Sequence, residues 1–195
     1  MYRLCQGQPY KRRKQFKETG RDRYITNEEY NALYSVSPDV VRVAMELAYL
    51  CCARQNDVLE MKRSQFMAEG ILIKQSKTAV AQIKAWSDRL KAAIELAKAL
   101  LLNEGMSSLF ILHQPTGHKY TRVGFNSRWR KAKEEAWIKY PHLSFVFTFH
   151  DLKAKGISDL QGNIYEKQAI SGHKNVEQTA RYDRKIAVFP VVGGQ

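Results

Sequence analysis

One stretch of this chain reads as a β-hairpin, and helical periodicity surrounds it. Residues 71–74 and 80–86 are short β-type runs, and the polar link Gln75-Ser76-Lys77-Thr78 joins them as a hairpin tip. Upstream, Thr26 with Glu29 three positions later forms a capping-box pattern, and Ile25 and Tyr30 are placed for a hydrophobic staple. Ser37-Pro38 opens the next helix, with proline expected at its first helical position. That helix presents an apolar face of Val41, Ala44, Ala48 and Cys52, and residues 56–61 make a further short helical segment. Downstream, Ser87 caps a helix carrying Leu90, Ala93, Ile94, Ala97 and Leu101, and Thr121 caps another through Phe125, Trp129, Ala132 and Ala136. Residues 109–112 read as a short extended piece, and Gln114-Pro115-Thr116-Gly117 as a loop. The C-terminal third is helical over 150–160, 164–171 and 176–182, with Gly156 weakening the first of these. The fold class expected is mainly α with a small antiparallel β-sheet (α+β).

Charge narrows the partners. The chain has 32 Lys+Arg against 19 Asp+Glu, a formal net charge of +13 over 195 residues, which suits a polyanion. No apolar run approaches a membrane span, and the polar, basic start is not a signal peptide. An amphipathic membrane-surface helix is a poor fit to a start interrupted by Gly7, Pro9 and Gly20, so nucleic acid is preferred over a membrane. Cys5, Cys51 and Cys52 lack metal or disulfide spacing; Cys51 and Cys52 read as reduced residues of an apolar helical stretch, which implies a cytoplasmic protein. His113, His118 and His142 read as loop or surface residues, not metal ligands.

The last third carries the chemistry. His150-Asp151-Leu152-Lys153 is followed by Gly172-His173 and then Tyr182, nine positions beyond His173. A free tyrosine has a pKa of about 10, so a tyrosine nucleophile needs a base or nearby positive charge. A phosphate under attack needs cations on its non-bridging oxygens and a proton for its leaving oxygen. His150 and Lys153 lie one helical turn apart and share a face. Arg54 and Lys77 are the upstream cations in suitable local contexts, though spacing alone does not bring them to the same pocket.

Over roughly residues 24–186 this ordered set resembles the active site of the tyrosine recombinases, the phage integrases in particular. Arg54 resembles the family's first arginine, Lys77 its hairpin lysine, His150 the histidine of His-x-x-Arg, His173 the second histidine, and Tyr182 in Thr179-Ala180-Arg181-Tyr182 the nucleophile. Two departures stand out: Lys153 occupies the position of the second arginine, and the step from His150 to His173 is shorter than in many members. The resemblance implies cleavage and rejoining of double-stranded DNA through a 3′-phosphotyrosine, with no cofactor and no metal. It makes Tyr182 the nucleophile and Lys77 the donor to the leaving oxygen. Arg54, Lys153 and His173 then serve the phosphoryl oxygens, and His150 assists proton transfer. It also implies a homotetramer on DNA, with a monomer in isolation, on the nucleoid of a bacterial host. Lysine keeps the charge of arginine but not its bidentate fork, so a slowed enzyme is expected. The alternatives are a catalytically impaired DNA-binding remnant of a prophage integrase and a relaxing topoisomerase.

The organisation expected is a basic leader or linker remnant over 1–24, a catalytic domain over 25–186 and a tail over 187–195. Lys11, Arg12, Arg13 and Lys14 form the centre of the leader and are DNA-binding candidates. The absence of an upstream core-binding domain, which the family usually has, suggests a catalytic domain alone. The apolar run 186–192 is equally a docking tail for a neighbouring copy or a strand folded on its own core.

Overall fold

The computed structural model describes residues 22–76 and 79–186. Lys77, the leader residues Lys11, Arg12, Arg13 and Lys14, and the tail 187–195 lie outside the described residues. In chain order the elements are α1 (Asn27–Val36), α2 (Asp39–Leu50), α3 (Gln55–Leu59), β1 (Gly70–Lys74), β2 (Ala81–Ala85), α4 (Asp88–Lys98), α5 (Arg122–Lys139), α6 (Phe149–Asp159), α7 (Ile164–Ser171) and α8 (Val176–Ala180). The fold is helical with one two-stranded antiparallel sheet, as its sequence implies.

The core is built around α2. Val41, Val43, Ala44, Met45, Leu47 and Ala48 are all sealed from solvent, because α4 and α6 pack on this helix and α1 and α5 on its flanks. Each of the larger of these, the valines, Met45 and Leu47, contributes about 1.5–3 kcal/mol when taken from water. Glu46 is the polar exception. Arg89 of α4 donates to both its oxygens at 2.6 and 2.7 Å, and the Tyr30 hydroxyl of α1 donates at 2.7 Å, so its charge is paired.

The capping signals held. Thr26 and Glu29 form the reciprocal box, with Glu29 N–H donating to Thr26 Oγ1 at 3.1 Å and Thr26 N–H to Glu29 Oε2 at 3.0 Å. Ser87 and Thr121 cap α4 and α5 through Leu90 N–H and Gly124 N–H. Several boundaries differ. Pro38 is the cap of α2 rather than its first helical residue, since its extended backbone (ψ 154°) follows Ser37, which closes α1 by donating to Leu33 O. α4 ends at Lys98, which leaves Leu101 75% exposed and outside the core. Residues 109–112 are the short extended piece expected, with Phe110 bridged antiparallel to Lys62 and backbone bonds to Met61 and Arg63. His113 is buried, not a surface residue, and its Nδ1 lies 3.1 Å from Gln114 O.

Cys51 and Cys52 are not helical. α2 ends at Leu50, Cys52 adopts φ +50°, Cys52 N–H donates to Tyr49 O, and Ala53 N–H reaches back to Ala48 O at 3.1 Å. This pair of bonds is the Schellman ending, with cysteine where glycine is usual. It turns the chain sharply and delivers Arg54 to the start of α3. Gly156 of α6 lies against the same turn: a Cβ there would run into Tyr49 O. The missing side chain lets α6 and α2 meet at the point where Arg54 leaves the core.

Candidate active site

Four elements supply the site. Arg54 sits at the N-cap of α3, and His150 and Lys153 on the first turns of α6. His173 follows the left-handed Gly172 (φ +66°) that ends α7, and Tyr182 stands in the turn after α8, not in a helix reaching residue 182. The α6 start is fixed by Asp151, whose Oδ2 accepts from both the backbone N–H and the hydroxyl of Thr148 at 2.8 Å. Asn163 and Asn175 cap α7 and α8, so the nine-residue step folds back on itself. As a result the His173 and Tyr182 rings approach to 4.9 Å between centroids.

Tyr182 is the centre of the cluster. Its hydroxyl lies 2.6 Å from His150 Nε2, and its ring faces Lys153 Nζ at 5.8 Å and the Arg184 guanidinium at 6.0 Å. Burial raises the phenol above its ordinary pKa, while the charges of Arg54 and Arg184 pull it back. His150 is lowered by burial and by the cations Lys153, Arg54 and Arg184, against a counter-pull from Asp151, and stands as a neutral imidazole at pH 7. His173 is held down to about 3, by burial first and then by Lys153, Arg54 and His150. Lys153 is sealed in the interior and lowered to about 8, by burial and then by Arg54.

These shifts place Arg54 within electrostatic reach of both histidines, Lys153 and Tyr182. Of the six residues anticipated from sequence, Arg54, His150, Lys153 and His173 therefore gather around the phenol of a fifth, Tyr182; the sixth, Lys77, lies outside the described residues. Among the described residues, Arg54 Nη2, Lys153 Nζ and His173 Nε2 are buried with no hydrogen-bond partner, as is Asp57 Oδ2. Two cationic donors and an imidazole nitrogen left unpaired in one place are costly unless a ligand joins them.

Several supporting residues were not anticipated. Gln75 is buried, accepting from Arg54 Nη1 at 2.6 Å and donating to Ser171 O at 2.7 Å. Arg184 donates to Asp151 Oδ1 at 2.6 Å, while the Ser158 hydroxyl donates to Tyr182 O at 2.9 Å and accepts from Arg184 N–H at 2.7 Å. Thr179, fully buried, lies 3.2 Å from His173 Nδ1. None of these has a distinctive spacing in the sequence.

A model of the phage integrase family matches residues 23–187, most of the chain. The chain belongs to the phage integrase family. It is 28% identical over 175 residues to the integrase of Escherichia phage lambda, an alignment covering 81% of this chain and 46% of that protein. The chain thus spans about half the length of this relative. The crystal structure of lambda integrase residues 75–356 bound to DNA superposes with a TM-score of 0.67 at 26% identity, covering 88% of this chain and 64% of that one. A lambda integrase tetramer bound to a Holliday junction gives a TM-score of 0.66 at 24% identity, covering 86% and 50%. The phage integrase fold is thereby shown. Among the described residues no helix is long and apolar enough to cross a membrane.

Proposed function

We propose that this chain is the DNA breaking-and-rejoining domain of a site-specific recombinase, with Tyr182 as its nucleophile. The observation that carries the reading is the set of buried polar atoms Arg54 Nη2, Lys153 Nζ and His173 Nε2, without a partner among the described residues and gathered about a phenol that already contacts an imidazole. A phosphodiester supplies the two non-bridging oxygens such a trio lacks. Tyr182 Oη bonds to the scissile phosphorus as the bond from phosphorus to the 5′ oxygen breaks. Its proton passes to neutral His150 Nε2, and the leaving oxygen takes a proton from Lys77, the role the family resemblance gives that residue. The products are a 3′-phosphotyrosine and a free 5′ hydroxyl, and attack by a second 5′ hydroxyl reverses the step and joins strands. Because one ester replaces another, the exchange needs no nucleotide cofactor.

Double-stranded DNA is the substrate, and a homotetramer is the working assembly, in line with the tetrameric relative on its junction. The leader 1–24, with Lys11, Arg12, Arg13 and Lys14, tracks phosphates outside a catalytic domain of 25–186, and 187–195 forms the tail. The setting is the cytoplasm of a bacterial host, on its nucleoid.

Lys153 slows the reaction without abolishing it. Loss of an oxyanion donor costs about 2.7–4 kcal/mol, and a lysine retains the charge but not the fork, so the penalty is smaller. The second reading, a remnant that binds without cutting, is favoured by the identity of this same residue, since lysine lacks the two-pronged fork that arginine offers a phosphate. A nicked suicide duplex separates the two: the first reading expects a covalent protein–DNA band that forms faster with Lys153→Arg. Retained DNA binding with no band from either protein selects the remnant.

A further inference from the structure

Gln75 sits where three parts of the site meet. It follows β1 at the root of the hairpin, and its backbone N–H donates to Val80 O at 2.9 Å, so the hairpin ladder holds its main chain. Its side chain points inward and is 3% exposed. The amide oxygen takes one N–H of Arg54 at 2.6 Å, and the amide nitrogen gives to Ser171 O, two residues before His173, at 2.7 Å. The next residue is tied as well, since Ser76 N–H donates to Asp57 Oδ1 at 3.0 Å, three positions after Arg54. The adjoining turn leaves room for this contact. Gly172 has φ +66°, and a Cβ on it would collide with Gln75 Nε2. Two further hairpin side chains grip the same helix end: Gln82 donates to Ala169 O and Lys84 to Ile170 O. Three successive carbonyls at the end of α7 are thus satisfied by the hairpin, which seats the turn bearing His173.

An arginine and a histidine approaching one phosphate from separate helices each carry side-chain or loop freedom, and that freedom costs rate unless something fixes it beforehand. An amide suits the task because it offers an acceptor to the guanidinium and a donor to the carbonyl at once. Neither a carboxylate nor an ammonium does both. We propose that Gln75 is a positioning residue that locks the Arg54 guanidinium and the His173 turn into one unit, so that both side chains are aimed at the scissile phosphate before it arrives. The role deepens the recombinase reading and rests on it.

The test is a double-mutant cycle on single-turnover cleavage of a suicide duplex, with DNA affinity measured separately. Gln75→Met keeps the volume and removes both hydrogen bonds. Its cleavage rate should fall roughly 10–100-fold, the scale of a small misplacement, with DNA affinity within about threefold of wild type. In an Arg54→Lys background, where the guanidinium is already gone, the same change should cost little further rate. Equal losses in both backgrounds, or no loss in either, overturn the proposal. Gln75→Leu, which likewise removes the bonds to Arg54 and Ser171, serves where Gln75→Met fails to fold, and the same pattern is expected of it. A second readout does not need catalysis. His173 is held to about 3 partly by the Arg54 charge, and proton NMR of its imidazole should show its titration moving upward once Arg54 is released. An unchanged titration in a folded Gln75 variant overturns the role. A wild-type chain that never forms a covalent product removes the functional reading, while the His173 titration still decides the role of Gln75.

Discussion

Lys153 carries the largest conflict between stability and chemistry at the level of a single residue. Its ammonium is sealed from water, without a hydrogen-bond partner among the described residues, and beside the charge of Arg54. A pKa lowered from 10.5 to about 8 corresponds to roughly 3 kcal/mol against the charged form. Because the unfolded chain holds this proton up to 10.5, stability should rise with pH between about 8 and 10.5, and the cost is fully present below 8. Lys153→Met should therefore stabilise the free protein at pH 7 by up to about 3 kcal/mol in urea unfolding, while cleavage drops on the order of a hundredfold or more. Cleavage by the wild type should also decline as pH rises through 8, and Lys153→Arg should remove that decline in a pH–rate profile. Arg184 makes the opposite kind of contribution. It ties the Tyr182 segment to Asp151 of α6, so Arg184→Ala should slow cleavage on the order of 10–100-fold by loosening the nucleophile. His150, Lys153, His173 and Tyr182 were candidates because chemically distinctive types recur there at short local spacing, whereas Arg54 and Lys77 were reached only through the family resemblance. Gln75, Thr179 and Arg184 were not, because a buried amide, hydroxyl or guanidinium acquires its meaning only from partners 96, 6 and 33 positions away.

Among the elements, the seam between α2 and α6 matters most, since it sets Arg54 against His150 and Lys153. Gly156 permits that approach, and a Cβ there would meet the backbone oxygen of Tyr49, which cannot rotate away. Gly156→Ala should destabilise the fold by about 1–3 kcal/mol, the scale of an overpacked core, despite alanine's better helix propensity. Thermal unfolding checks this; a gain in stability would mean that the two helices are not in contact at that point. Helix starts were readable from Thr26, Ser87 and Thr121, whose side chains cap locally, and the hairpin from its two apolar runs. The end of α2 was not. A left-handed cysteine leaves no sequence mark of the kind glycine leaves, so Cys51 and Cys52 read as helix. The run leading into α6, with Phe145 and Phe147 buried and Val146 61% exposed between them, carries the alternation of an extended segment.

At the scale of the whole molecule, a histidine buried among cations makes the free protein sensitive to acid, and net positive charge makes its DNA complex sensitive to salt. Native His173 refuses a proton until about pH 3, whereas an unfolded histidine accepts one near 6.5. Between those values the unfolded state binds more protons, so stability falls as pH drops, by about 2 kcal/mol from pH 7 to 5 through this residue alone. Urea unfolding at the two pH values tests it, and His173→Gln should flatten the difference. With a net charge of +13, DNA affinity should fall steeply and linearly on a log–log salt plot, and a shallow slope would count against extended phosphate contact. The central claim concerns one bond. Protein trapped on a suicide duplex, digested with nuclease and protease and read by mass spectrometry, should carry its nucleotide remnant on Tyr182, with the adduct lost in Tyr182→Phe. A remnant on any other residue, or an adduct that persists in Tyr182→Phe, contradicts the account.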